Sequence, residues 1–207
     1  MKSVEIMAPA GNFASLTAAA QGGADSVYFG VGALNMRAHA ANNFDADDLQ
    51  TIVTFCKEHN MRSYLTLNTI LYDRDMEQMK IILAKAKEAQ VSAVIASDMA
   101  AILAARAVGL EVHISTQLNV SNLQALKFFA QFADVAVLAR ELSLPQIKEI
   151  ASGIKRDEVR GPSNNLMKLE IFCHGALCMA ISGKCYLSLH HYNASANRGS
   201  CYQICRR

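Results

Sequence analysis

The chain has 207 residues, 52% of them hydrophobic and 18% charged, with three prolines and no tryptophan, enough to bury one sizeable core in a single compact unit. Lys and Arg number 20 against 18 Asp and Glu, a net charge of +2; this excludes the global basic field of a dedicated nucleic-acid binder and confines any RNA contact to a local patch. No apolar run reaches membrane-spanning length and the N-terminal residues lack the apolar core of a signal peptide, so the expected address is a reducing cytoplasm without membrane contact.

Taken in chain order, residues 4–8 form a short apolar run ending at Pro9 and Gly11, and Asn12 then caps a small-residue helix over 13–21 closed by Gly22 and Gly23. Residues 26–31 read as a second strand, followed by a polar loop carrying Asn35, Arg37, His39, Asn42 and Asn43. A helix is predicted over 45–59, a strand over 62–67 ending at Asn68, and a third helix in which Met76, Met79, Leu83 and Ala86 recur at helical spacing. That methionine stripe and Cys56 read as core, not as cofactor contacts. Strand four spans 93–96 and ends at Ser97 and Asp98; a helix continues to about residue 108, and strand five covers 111–116 and ends at Gln117.

Ser121 with Gln124 and Ser143 with Gln146 read as capping boxes for the fifth and sixth helices, on either side of a sixth strand at 134–139. Residues 155–168, polar and marked by Gly161 and Pro162, read as an exposed flexible loop, and 169–172 as strand seven. Short apolar strands alternating with helices predict an α/β fold with a parallel sheet. No Gly-x-Gly-x-x-Gly turn or Walker lysine follows any strand, so the expected form is a TIM-type parallel (β/α) barrel, not a nucleotide-binding open sheet. Such barrels take about 250 residues and no eighth strand is visible, so an incomplete or truncated barrel is expected. Residues 1–175 are assigned to the barrel and 176–207 to a cysteine-rich, cluster-binding segment packed on its rim.

In a parallel barrel the ligand site lies where strands end. Those ends carry Asn12, Arg37, Asn68, Asp98, Gln117 with Asn119, Arg140 with Glu141, and His174. Period-two alternation along strand five puts His113, Ser115 and Gln117 on one polar face directed into the barrel. His113 is either a hydrogen-bonded interior histidine or a base; Arg140 and Glu141 are either an ion pair or a clamp for a carboxylate or phosphate. The candidate catalytic set is Asn68, Gln117, Arg140 and His174; the candidate substrate-binding set is Arg37, His113, Glu141 and Glu170.

Cys178, Cys185, Cys201 and Cys205 crowd soft thiolate ligands into the end of the chain, with Cys173 as a spare. The spacing from Cys178 to Cys185 is wide for a zinc knuckle, whereas a 4Fe-4S cluster takes varied spacings; zinc stays as the alternative. Free thiols are the other reading. Arg198, Arg206 and Arg207 beside them form a candidate phosphate patch.

Glu170, Phe172 through Gly175, Cys178, Gly183, Cys185 and Ser188 resemble the signature of the collagenase-like peptidases of unknown catalytic type, peptidase family U32. The blocks at 8–11, 35–37, 113–117, 140–141 and 197–201 are similar to that family's recurring blocks, so the resemblance spans the chain. It implies iron–sulfur proteins of oxygen-independent hydroxylation, acting on wobble uridine in tRNA, on cytidine in rRNA or on ubiquinone, with prephenate serving the RNA branches. The N-terminal blocks are most similar to the wobble-uridine branch and its unassigned collagenase-like neighbours. The resemblance places cluster ligands at Cys178, Cys185 and Cys201, with Cys205 or a residue further downstream as the fourth. It implies a tRNA or rRNA substrate, a prephenate-like small molecule, and either a partner subunit or a homo-oligomer. A collagenase-like peptidase is the rival activity, although no His-Glu-x-x-His occurs, and a non-catalytic RNA-binding or scaffold subunit is the third reading.

Overall fold

The computed structural model describes residues 4–36, 38, 43–175 and 177–206. Seven strands, β1 (Met7–Pro9), β2 (Ser26–Gly30), β3 (Arg62–Leu67), β4 (Ala93–Ala96), β5 (Val112–Ile114), β6 (Val135–Val137) and β7 (Lys168–Glu170), pair in chain order. Every pairing is parallel. Six helices cross between them: α1 (Phe13–Gln21), α2 (Leu49–Glu58), α3 (Met76–Ala89), α4 (Met99–Ala107), α5 (Leu123–Phe129) and α6 (Leu144–Arg156). A short α7 (Leu187–Tyr192) lies in the cysteine segment. This is the expected incomplete TIM-type α/β barrel: the sheet curls, and among the described residues β1 and β7 are its two edges.

Alternation separates two cores. Val27, Phe29, Leu65, Leu67, Val94, Ala96, Ile114 and Ala136 face the helices and join one large apolar cluster. Tyr64, Ala93 and Ile95, with Met7 and Tyr28 against them, form a smaller cluster on the inner face. Helix starts follow the chemistry of their caps. The Asn12 side chain accepts from Ser15 N–H at 2.8 Å while the Ser15 hydroxyl returns to the Asn12 backbone; Ser143 and Gln146 form the expected box on α6.

Several bounds differ from expectation. β1 is Met7–Pro9, because Val4 and Ile6 are 69% and 56% exposed and nothing covers them. α2 starts at Leu49, after a 3-10 turn at Ala46–Asp48. α5 is capped by Asn122, not Ser121: the Asn122 Oδ1 accepts from Ala125 N–H at 2.8 Å. β5 stops at Ile114, because Thr116–Leu118 tighten into a 3-10 turn ended by Asn119 at φ 52°. β7 ends at Glu170, before Ile171 and Phe172. Residues 155–168 are no open loop. α6 runs to Arg156, Val159 and Met167 are 7% and 4% exposed, and an antiparallel bridge from Arg160 to Leu166 closes a tight hairpin.

Candidate functional site

A cavity of about 140 Å³ opens at the C-terminal ends of the strands. Three residues expected from their strand-end positions line it, Asn68 after β3, Gln117 after β5 and Arg140 after β6, together with Glu170 of the candidate substrate-binding set, at the end of β7. Asn68 is fixed from three sides. Its Oδ1 accepts from Met36 N–H at 3.1 Å, its Nδ2 lies 3.5 Å from Ser115 Oγ, and its carbonyl accepts the Ser97 hydroxyl at 2.9 Å. The Ser115 hydroxyl donates in turn to Gln117 Oε1, so one polar series runs from the β2 loop across to β5.

Arg140, half-buried, is the charged counterpart of that wall. Its Nε is buried without a partner, and its guanidinium packs 4.7 Å from the Phe172 ring centroid, which fixes the plane of the fork. An unsatisfied guanidinium donor in a cavity is a receptor for a carboxylate or phosphate oxygen. Glu141 is exposed and lines no part of the cavity, so the ion-pair reading of Arg140 with Glu141 has no support. His174 is also exposed and off the cavity wall, and Arg37 lies outside the described residues.

His113 sits one layer deeper on the same strand face, 2% exposed, with its ring 4.7 Å from that of Tyr64. Its Nε2 is 3.2 Å from Glu111 Oε1, and that hydrogen bond holds the Glu111 carboxyl below its usual range against the opposing effect of burial. Its Nδ1 is 4.0 Å from Glu170 Oε2. Burial pushes the Glu170 carboxyl above its usual range, the charge on Glu5 adds to this, and His113 opposes it. Below this layer the Tyr64 hydroxyl donates to Glu5 Oε1 at 2.7 Å, and burial together with that bond drives the Tyr64 phenol upward.

Tyr28, Thr66, Ser115 and Phe172 also line the cavity. Period-two alternation puts Thr66 on the same face as Asn68, a signal the strand-end rule passes over.

The cysteine segment is seated on this rim. Asn119 Nδ2 donates to Ser182 O at 2.9 Å, and Ile70 N–H donates to Asn197 O at 3.1 Å. Gly183, at φ 73°, lies so close to Gln117 that a Cβ there would be 2.8 Å from Gln117 Cβ. Arg198 does not belong to a phosphate patch. It donates to Asp75 at 2.8 and 3.3 Å and to Ile70 O at 2.8 Å, and stacks 4.0 Å from the Tyr72 ring centroid. Arg207 lies outside the described residues.

All six cysteines are free thiols: Cys56 is buried, Cys178 and Cys185 half-buried, and Cys173, Cys201 and Cys205 exposed. Burial pushes the Cys56 thiol up to about 11, so it is core, as expected. Four thiols suit a soft metal, but among the described residues no three Cys, His, Asp or Glu side chains stand together in a metal-binding group.

The profile of Peptidase family U32 matches residues 11–207. The chain belongs to that family. A collagenase of Porphyromonas gingivalis strain W83 is 56% identical over 203 residues, 98% of this chain and 49% of that protein. The tRNA hydroxylation protein P1 of Bacillus subtilis strain 168 is 35% identical over 208 residues, 99% of this chain and 46% of its own length. The U32 chain thus spans about half the length of these curated relatives. The solved U32 peptidase Mk0906 superposes with a TM-score of 0.61 at 14% identity, over 72% of this chain and 64% of that one, which supports the barrel fold.

Proposed function

We propose that this U32 chain serves oxygen-independent hydroxylation of tRNA at a wobble uridine, with a prephenate-like donor in the rim cavity and an iron–sulfur cluster on the cysteine segment. The observation that carries this reading is the charge of the segment seated beside the cavity. Residues 171–207 contain four Lys and Arg and no Asp or Glu, whereas every carboxylate side chain of the protein lies before them. Tyr186, Tyr192 and Tyr202 on this segment are 67%, 51% and 47% exposed, and Tyr192 and Tyr202 lie 4.9 Å apart. Exposed aromatic rings without competing carboxylates suit stacking of unpaired bases, about 1–3 kcal/mol per base. The unpartnered Arg140 donor suits a carboxylate-bearing small molecule. A tRNA substrate makes the address cytoplasmic, and among the described residues no helix is long and apolar enough to cross a membrane. The cluster rests on the cysteine spacing and on the resemblance to the U32 iron–sulfur proteins.

Peptidase activity is the second reading, favoured by the 56% identity to a protein named collagenase. The cavity offers it little. Its serine, Ser115, is bonded to Gln117, and the adjacent Cys173 and His174 are exposed and off the cavity wall. Nucleoside mass spectrometry of tRNA from a deletion strain, with collagen-peptide cleavage by the purified full-length protein alongside, separates the two. Loss of the hydroxylated uridine, restored by the gene, with no cleavage is the expected result; unchanged hydroxylation overturns the proposal. Iron and sulfide counts after anaerobic purification test the cluster: Cys178→Ala or Cys185→Ala with undiminished iron removes those ligands from consideration.

A further inference from the structure

Two buried polar atoms without hydrogen-bond partners face each other across the barrel interior, His113 Nδ1 and Glu170 Oε2, 4.0 Å apart. Such a pair of orphans in one protein interior calls for an account. The other ring nitrogen supplies it. His113 Nε2 lies 3.2 Å from Glu111 Oε1, a carboxylate kept ionised by that bond, so Nε2 carries a proton and donates. A neutral ring then presents a bare lone pair at Nδ1, toward a carboxylate oxygen that carries lone pairs of its own. Two acceptors facing each other repel, unless one of them holds a proton.

We infer that Glu170 and His113 share one proton, and that Glu170 delivers it to an oxygen of the ligand held in the cavity. Glu170 is placed for both halves of this role. It lines the cavity, while its Oε2 faces the imidazole, which is 2% exposed and closed off by Tyr64. In the transfer the O–H bond of Glu170 breaks, an O–H bond forms on the ligand oxygen, and the bonding pair stays on the Glu170 carboxylate. When the proton resides on His113 instead, the Nδ1–H bond breaks first and its proton passes to Glu170, leaving a neutral ring.

The surrounding charges come from every element packed on the pair: Glu111 beside β5, Tyr64 and Arg62 of β3, Glu5 before β1, Lys168 of β7 and Arg140 after β6. Glu5 is bonded to Tyr64 and Arg62, and Glu111 is engaged by His113, so neither competes for the shared proton. Arg140, on the same cavity, would hold an anionic group of the ligand while Glu170 serves another oxygen. The class of ligand is a small molecule with an anionic group and an oxygen that gains negative charge. The inference holds whether the cavity serves hydroxylation or hydrolysis, and its test needs neither.

Carboxyl ¹³C and imidazole ¹⁵N titrations, with signals assigned through Glu170→Gln and His113→Gln, read the sharing directly. The Glu170 and His113 signals should move through common macroscopic steps, and Glu170→Gln should leave His113 with a single step. Independent titration of the two groups overturns the shared proton. Thermal melts keep the test open if His113→Gln fails to fold. Native Glu170 holds its proton to higher pH than the unfolded chain does, so its contribution to stability is full at low pH and falls as pH rises through its raised range; Glu170→Gln should lose that fall. Melts of the two proteins with the same pH dependence overturn it. Acetate serves as the probe for delivery. It should bind the wild type at least about tenfold more weakly above the Glu170 titration than below it, from carboxylate repulsion, and Glu170→Gln should bind it equally across that range. Acetate that fails to bind, or binds the wild type equally throughout, overturns the delivery role.

Discussion

Replacing Arg198 by alanine should release the cysteine segment from the barrel rim. Arg198 ends the 3-10 turn at Ala196–Arg198, and its partner Asp75 lies 123 positions earlier, in the turn that opens α3. The substitution removes hydrogen bonds of 2.8 and 3.3 Å to the Asp75 carboxylate, one of 2.8 Å to Ile70 O, and the stack on Tyr72. A charge-assisted hydrogen bond contributes about 1.5–3 kcal/mol and an exposed cation–π contact about 0.5–1 kcal/mol. Two factors reduce the sum. The guanidinium is 20% exposed, and Asp75 keeps the 2.8 Å bond from Tyr72 N–H, so it is not orphaned. A net loss of about 3 kcal/mol remains, which is about a hundredfold in the docking equilibrium.

Hydrogen exchange reads that equilibrium at two amides that depend on the turn, Ile70 N–H on Asn197 O and Cys185 N–H on Asn197 Oδ1, each at 3.1 Å. Both should exchange about a hundredfold faster in Arg198→Ala, while Val94 N–H, bonded to Glu111 O within the sheet, should not change. The Asp75 carboxyl lies below its usual range, chiefly through its hydrogen bond with Arg198. Its contribution is therefore present above the ordinary carboxylate range and lost as pH falls through the depressed value, so protection relative to the intrinsic exchange rate at each pH should fall with acid in the wild type and not in Arg198→Ala. Unchanged exchange at both amides at neutral pH would refute the reasoning, because no other charge-assisted contact holds the segment at that loop among the described residues.

Gly183→Ala should lower the melting midpoint, since φ 73° strains an L residue and the new methyl would lie 2.8 Å from Gln117 Cβ; the cost is about 1–3 kcal/mol, and an unchanged melt refutes the close approach. Alkylation of the native protein followed by peptide mass spectrometry should label the exposed Cys173, Cys201 and Cys205 and spare Cys56, whose thiol is 1% exposed and pushed up to about 11. Early labelling of Cys56 would mean that α2 opens from the sheet on the timescale of the reaction.

Local signals carried the fold, and side-chain direction limited the site. α1, β3 and β4 have the bounds expected from their apolar runs and the residues that punctuate them, because those signals act within a few positions. At the start of α5, Ser121 and Asn122 are neighbouring residues of the same capping type, and only backbone geometry decides between them. A strand-end position locates a Cα but not where its side chain goes. Asn68, Gln117 and Arg140 line the cavity, whereas Glu141 and His174 are exposed and do not line it; Glu170, read as lying inside a longer strand seven, lines it because β7 stops there. Arg198 departs from expectation for a different reason: the carboxylate that takes it is far away in sequence, so a local count of basic residues overstates the charge left for phosphate.

The rim contacts tie the two parts of the protein into one mechanical unit. Gly183 rests on Gln117, Asn119 holds the Ser182 carbonyl, and Gln117 accepts the Ser115 hydroxyl that stands beside Asn68. The cysteine segment and the cavity therefore share a wall, at residues 115–119. A ligand that moves Gln117 must shift Gly183 or find it already shifted, because the space between them admits no additional methyl group. The same contact works in the other direction: thiols that draw together around a metal would have to carry residues 182–185 with them, and Gln117 is the first cavity residue they would disturb. That places any effect of the segment on the cavity at a single residue, and Gln117→Gly removes the Cβ at that contact without touching a thiol or the His113–Glu170 pair.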